Sequence, residues 1–236
     1  MKISPSYSGL FDTKESLENI FKTRKTCSDT GAKLIITPHA AYEYIAEITF
    51  GVYATIQQTV ENLTIIAPAI YNKIYGSVTT DAEKFETPFG DLRIEAADLE
   101  VNNKIFETES ALTCQLPVIK YLFPHVTVTP IIYGCEDYKK IAGIINRGTT
   151  VIVSNLSRYV PERENIKLDE QTSRMIERKQ IQDLDMELAD GAIGICAAIE
   201  FARQNDLEFV GTGHANSSQT NHDTSNVVGY GGWYLV

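Results

Sequence analysis

The chain has 236 residues, 43% hydrophobic and 22% charged, enough to build a sizeable core and unlike either a disordered or a membrane protein. Its 21 Lys and Arg against 31 Asp and Glu leave a formal charge of −10, which argues against nucleic-acid binding and favours solubility. The opening MKISPSYSGLF lacks a long apolar run and no later stretch reaches the roughly 18 residues of a membrane span, so a cytoplasmic protein is expected. Cys27, Cys114, Cys135 and Cys196 are scattered without a CxxC pair, which fits separate reduced thiols better than a disulfide frame or a zinc ribbon.

Asp12 and Glu15 have capping-box spacing, and Leu17, Ile20 and Phe21 recur at helical intervals, predicting a helix over 13–26. A strand over 33–37, a helix over 43–56 and a buried strand over 63–67 ended by Pro68 follow. Residues 71–100 carry alternating, β-prone pieces around Thr87 to Asp91 and predict a hairpin or meander. A helix over 112–123 with Pro117 near its start, a strand over 126–133, a helix over 137–146 and a β-branched strand over 149–154 come next. The charged stretch 161–185 predicts one or two surface helices, a solvated face first and a partner surface second. An apolar helix over 191–203 and strands over 207–211 and 227–235 complete the chain. Strands alternating with helices, plus one hairpin, predict an α/β fold: a three-layer α/β/α sandwich on a mixed central sheet, in one domain spanning 1–236.

In KLIITPHAAYEY a short apolar strand runs into Pro38 and His39 before a helix opens. That places one imidazole at the carboxyl end of a strand, where open α/β sheets bind ligands. Seven segments around it, in order, resemble the Memo family, whose bacterial members carry the name AmmeMemoRadiSam system protein B and which is similar in fold to LigB-type class III extradiol dioxygenases. PSYSGLF (5–11) resembles PAVAGxFY, TPHAAY (37–42) resembles APHAGY, and IIAPAI (65–70) resembles ILGPNH. FETPFGDLRI (85–94), ESALTCQLP (109–117), VSNLSRYVP (153–161) and SNVVGYGGWYL (225–235) resemble RTPLxDLRI, EHSLEVQLP, SSDLSHYLP and SRVVGYAAxxF.

The resemblance implies a strand-end pocket of the metal type, built in the family from histidines, an aspartate and a cysteine. Carried over one position at a time, only the first histidine is kept, as His39. The histidine of GPNH falls on Ile70, the aspartate and histidine of SSDLSHY on Asn155 and Arg158, and the cysteine on Leu188 in a loose alignment. The histidine and glutamate of EHSLEVQLP become Ser110 and Thr113. A non-haem iron or copper site needs about three ligands, and one imidazole beside the fixed charge of Arg158 does not hold one. The expectation is a Memo-like protein with a degenerate metal site and no cofactor.

Its pocket would use His39, Asn155, Ser157 and Arg158 to hold a small anionic ligand, with a merely surface arginine as the plain alternative for Arg158. The competing expectation is a metal-dependent, dioxygenase-like redox enzyme with iron or copper on His39 and relocated ligands His214 and Asp223, from the polar stretch that also holds His222. A third is a metal-free enzyme with His39 as general base and Arg158 stabilising an oxyanion. His125 reads as a turn residue. No GxSxG elbow, P-loop or GxGxxG fingerprint is present, which argues against a serine hydrolase and nucleotide chemistry. An exposed pairing edge on a mixed sheet would permit a homo-oligomer.

Overall fold

A computed structural model describes residues 1–24, 30–145 and 148–236. In chain order it contains β1 (Lys2–Ile3), α1 (Lys14–Lys22), β2 (Leu34–Thr37), α2 (Tyr42–Tyr53) and β3 (Asn62–Pro68). Four short strands follow, β4 (Ser77–Thr79), β5 (Lys84–Phe85), β6 (Leu92–Ile94) and β7 (Glu100–Val101), then α3 (Ile105–Thr108), α4 (Ser110–Thr113) and α5 (Gln115–Leu122). The chain continues through β8 (Thr127–Tyr133), α6 (Tyr138–Ile145), β9 (Thr149–Val153), β10 (Arg158–Val160) and α7 (Glu162–Glu177). It closes with α8 (Ala192–Asn205), β11 (Phe209–Asn216), α9 (Ser218–Asn221) and β12 (Val227–Leu235).

The strands form one mixed sheet in the order β1-β5-β6-β8-β3-β9-β2-β12-β10, with β11 on β12, β4 on β8 and β7 on β4. Its centre, β8-β3-β9-β2, is parallel, and both faces of these strands are buried, which explains their near-continuous apolar sequences. The two-residue period of a strand divides those side chains between two cores. Ile35, Ile65, Val151 and Val153 pack with Leu17 and Phe21 of α1, Ile45 of α2 and Leu116 of α5 on one face. Ile36, Ile66, Ile131 and Ile152 pack with Ile141 of α6, Ile176 of α7 and Ile195 of α8 on the other. Helices therefore cover both faces, and the expected three-layer α/β/α arrangement is present.

Several local expectations differ. The α1 cap is Thr13, not Asp12: its hydroxyl accepts the Ser16 N–H at 3.1 Å, and the Ser16 hydroxyl accepts the Thr13 N–H at 3.1 Å. The helix ends at Lys22, short of the expected span, with Thr23 as its C-cap; residues 25 and 26 of that span, with Cys27, lie outside the described residues, as does Asn146 at the expected end of α6. The predicted hairpin is β5 and β6, paired antiparallel across Lys84–Arg93, and β6 then extends the main sheet beside β8. The helix expected over 112–123 is two pieces, α4 and α5, with Pro117 in the first turn of α5, where its missing N–H costs no intrahelical bond. The charged stretch yields one long helix, α7, whose Asn165, Thr172, Met175 and Ile176 are buried, so only part of it is a solvated face.

Candidate functional site at the strand ends

β2 and β9 run parallel with Thr37 opposite Val153, so their outgoing loops leave the sheet level with each other. Two residues on, His39 and Asn155 meet. The His39 N–H donates to Asn155 Oδ1 at 2.9 Å, and Asn155 Nδ2 returns a bond to the His39 carbonyl at 2.9 Å. This reciprocal clamp satisfies two buried backbone groups and consumes one donor and the acceptor of the amide.

The His39 ring is 3.0 Å, through Nε2, from Oδ2 of Asp190, a residue that sequence reasoning overlooked. Asp190 precedes α8 and its side chain has no exposed surface. Its Oδ1 accepts the Asn155 N–H at 2.8 Å, and its Oδ2 also faces Arg158 Nη1 at 3.3 Å. The carboxylate is thus held by an imidazole, a guanidinium and a backbone amide, which is how a buried charge escapes most of its desolvation penalty. Gly191 makes the approach possible. A Cβ there would lie 2.6 Å from both the Val153 carbonyl oxygen and Ser154 Cβ, and its N–H donates to Ser154 Oγ at 2.9 Å.

Arg158 arrives on β10, where the register against β12 shifts between Arg158 and Val160. Tyr159 at the shift has φ +60°, an uncommon conformation for a residue with a Cβ, and its ring lies 5.7 Å from the guanidinium carbon. With 24% of its side chain exposed, Arg158 borders a cavity of about 310 Å³ that also takes in His39, Asn155 and Ile70. Ser8 to Leu10, from the amino-terminal loop, and Tyr71 and Tyr230 form its other walls. Burial pushes the Tyr230 hydroxyl well above its ordinary pKa, so it stays protonated in that wall.

The structure gathers His39, Ile70, Asn155 and Arg158 as the motifs imply, and leaves others elsewhere. Ser157 turns away from the cavity: its hydroxyl donates to Asp169 Oδ1 of α7 at 2.7 Å and accepts from Asn165 Nδ2 at 2.9 Å. Leu188 packs in the core beneath α8, and its carbonyl accepts from the Thr172 hydroxyl at 3.3 Å; Asp190, two residues later, is the side chain that reaches His39. His214 lies on β11 rather than in a loop, edge-on to Trp233 at 5.0 Å, and lines a different cavity of about 430 Å³ between α7 and β11. Burial lowers its pKa, with Glu177 opposing. Asp223 is in an exposed turn, accepting from the Ser225 N–H and hydroxyl, while His125 and His222 are exposed. His39, His214 and Asp223 are not brought together.

Among the described residues no three His, Cys, Asp or Glu side chains converge as a metal site, and His39 Nε2 is engaged by Asp190. Nor is any described helix long and apolar enough to cross a membrane.

Comparison with known proteins agrees with this topology of motifs. A "MEMO1 family protein" of Aquifex aeolicus is 25% identical over 233 residues, covering 86% of this chain and 86% of its own length. One of Metallosphaera sedula is 23% identical over 229 residues, covering 84% and 80%. The "Protein memo-1 homolog" of Caenorhabditis elegans is 26% identical over 119 residues, 44% of this chain and 33% of that protein. The family model described as "Memo-like protein" matches residues 11–234, nearly the whole length, and the chain belongs to that family.

Proposed function

We propose that this Memo-family chain is a non-catalytic binding protein for a small anion of the carboxylate or phosphate class, and that it works without a metal. One observation carries the reading. Arg158 spends Nη1 on Asp190 yet borders the strand-end cavity with part of its side chain exposed, so the other N–H groups of its five-donor fork remain for a ligand. Asp190 fixes the guanidinium in place, which lowers the entropy lost on binding. Ile70 adds no lone pair, and the carboxamide of Asn155 is committed to His39.

The test is a titration with inorganic phosphate and with acetate, followed by amide NMR shifts of the loops after β2 and β9. Arg158→Gln is expected to weaken binding at least tenfold, in line with loss of a charge-assisted hydrogen bond, while the protein stays folded. Unchanged affinity in the variant overturns the anion reading. Stoichiometric iron or copper, retained by the wild type after anaerobic loading and lost in His39→Ala, overturns the metal-free part.

A second reading is favoured by the 3.0 Å contact of His39 Nε2 with Asp190. If Nε2 donates to Asp190, Nδ1 keeps its lone pair, and an Asp-oriented imidazole beside an arginine is an arrangement suited to general-base chemistry on an anionic substrate. Turnover that falls in His39→Gln with unchanged anion affinity would select it over the binding-only role.

A further inference from the structure

Four large apolar side chains that the fold leaves exposed gather around the strand ends. Tyr71 (72% exposed) and Tyr159 (68%) border the Arg158 cavity, while Tyr75 (74%) and Met186 (63%) border a second cavity of about 250 Å³ beside it. Single exposed apolar residues need no explanation, but a cluster rimming two cavities marks a binding surface. Asp190 links the two: its buried carboxylate pairs with His39 and Arg158, which line the first cavity, and the residue itself is among those lining the second. The second is otherwise mainly apolar, walled by Pro68, Ile74, Tyr133 and Ile193 among others, with Lys73 at its edge over the Tyr75 ring.

The segment between the cavities is pinned. Buried Glu109 accepts from the Tyr71 N–H and from Asn72 Nδ2, both at 3.2 Å, so Tyr71 and Asn72 are held in place before any ligand arrives. A cavity bordered by a cation, with an apolar chamber on the other side of the Tyr71–Asn72 segment, suits a molecule that is polar at one end only. Resting on the anion reading above, we propose that the ligand is an amphipathic carboxylate, its head on Arg158 and its apolar tail in the Tyr75–Met186 chamber.

The experiment is a ligand-observed NMR titration of the full chain with sodium butyrate, hexanoate and octanoate below their micellar concentrations. Each methylene moved from water into the chamber is worth about fourfold in affinity, so octanoate is expected to bind at least tenfold tighter than butyrate. In Tyr75→Ser/Met186→Ser the octanoate-to-butyrate ratio should fall toward one, and in Arg158→Gln all three ligands should weaken together. A flat series that still depends on Arg158 overturns the tail proposal and leaves the anion reading standing. Binding indifferent to Arg158 overturns the anion reading, and with it the head assignment. A chain-length gain that survives in the Tyr75/Met186 variant overturns the chamber as the tail site.

Discussion

Asp169→Asn tests whether the carboxyl under Ser157 is a net burden on the folded state. Burial pushes the Asp169 pKa from the ordinary 3.8 up to about 6, and only the hydrogen bonds from the Ser157 hydroxyl and N–H oppose the shift. At about 1.36 kcal/mol per pH unit that rise corresponds to roughly 3 kcal/mol as an upper bound. The folded-state pKa is raised, so the group's contribution is fully present below pH 3.8 and is lost as pH climbs through about 6. Above pH 7 the native protein carries the whole penalty. Asparagine keeps an oxygen for Ser157 and carries no charge, so the variant is expected to be more stable at pH 7.5 by about 1–3 kcal/mol. At pH 5, where the native carboxyl is largely protonated, the gain should shrink by about half. Urea denaturation at pH 5 and 7.5 reads both quantities. A variant no more stable than wild type at pH 7.5, or a gain that does not change between the two pH values, refutes the reasoning.

Asp190→Ala removes the shared acceptor of His39, Arg158 and the Asn155 N–H, and stranding these partners is expected to cost about 3–5 kcal/mol in urea unfolding. A loss below about 1 kcal/mol would mean that the cluster contributes little to the fold. Gly191→Ala forces a methyl against the Val153 carbonyl oxygen, a backbone atom that cannot swing aside, and should cost about 1–3 kcal/mol; a neutral effect in the same assay contradicts the close approach.

The layered architecture was legible because the central strands are short apolar runs flanked by helical patterns, and those runs are buried on both faces. The glycines and polar residues after Gly211 carry a loop-like composition, whereas β11 continues to Asn216 through a register shift between Gly211 and Gly213. His214 therefore sits on a strand, away from His39, where its polar surroundings in sequence suggest a loop. Asp190 escaped notice for a different reason. A lone aspartate before a glycine and an apolar helix reads as a helix start, and nothing local says that it faces a histidine 151 positions away. The one available signal is an acid at a helix start, two residues beyond the Leu188 that the motif alignment indicates, together with an arginine in a strand-end motif. Arg158 was found, but its engagement with Asp190 needed three dimensions.

The clamp between His39 and Asn155 makes position 155 selective for an amide side chain. It both accepts and donates across the gap between two loops, whereas an ionised aspartate, the residue that the family motif carries there, accepts only. Placed at position 155, a carboxylate would face the His39 carbonyl oxygen without a proton to offer, and would sit beside Asp190, whose Oδ1 already takes the backbone N–H of the same residue. A carboxylate at that position is therefore penalised by its surroundings, and tolerating one would require a change at Asp190 as well.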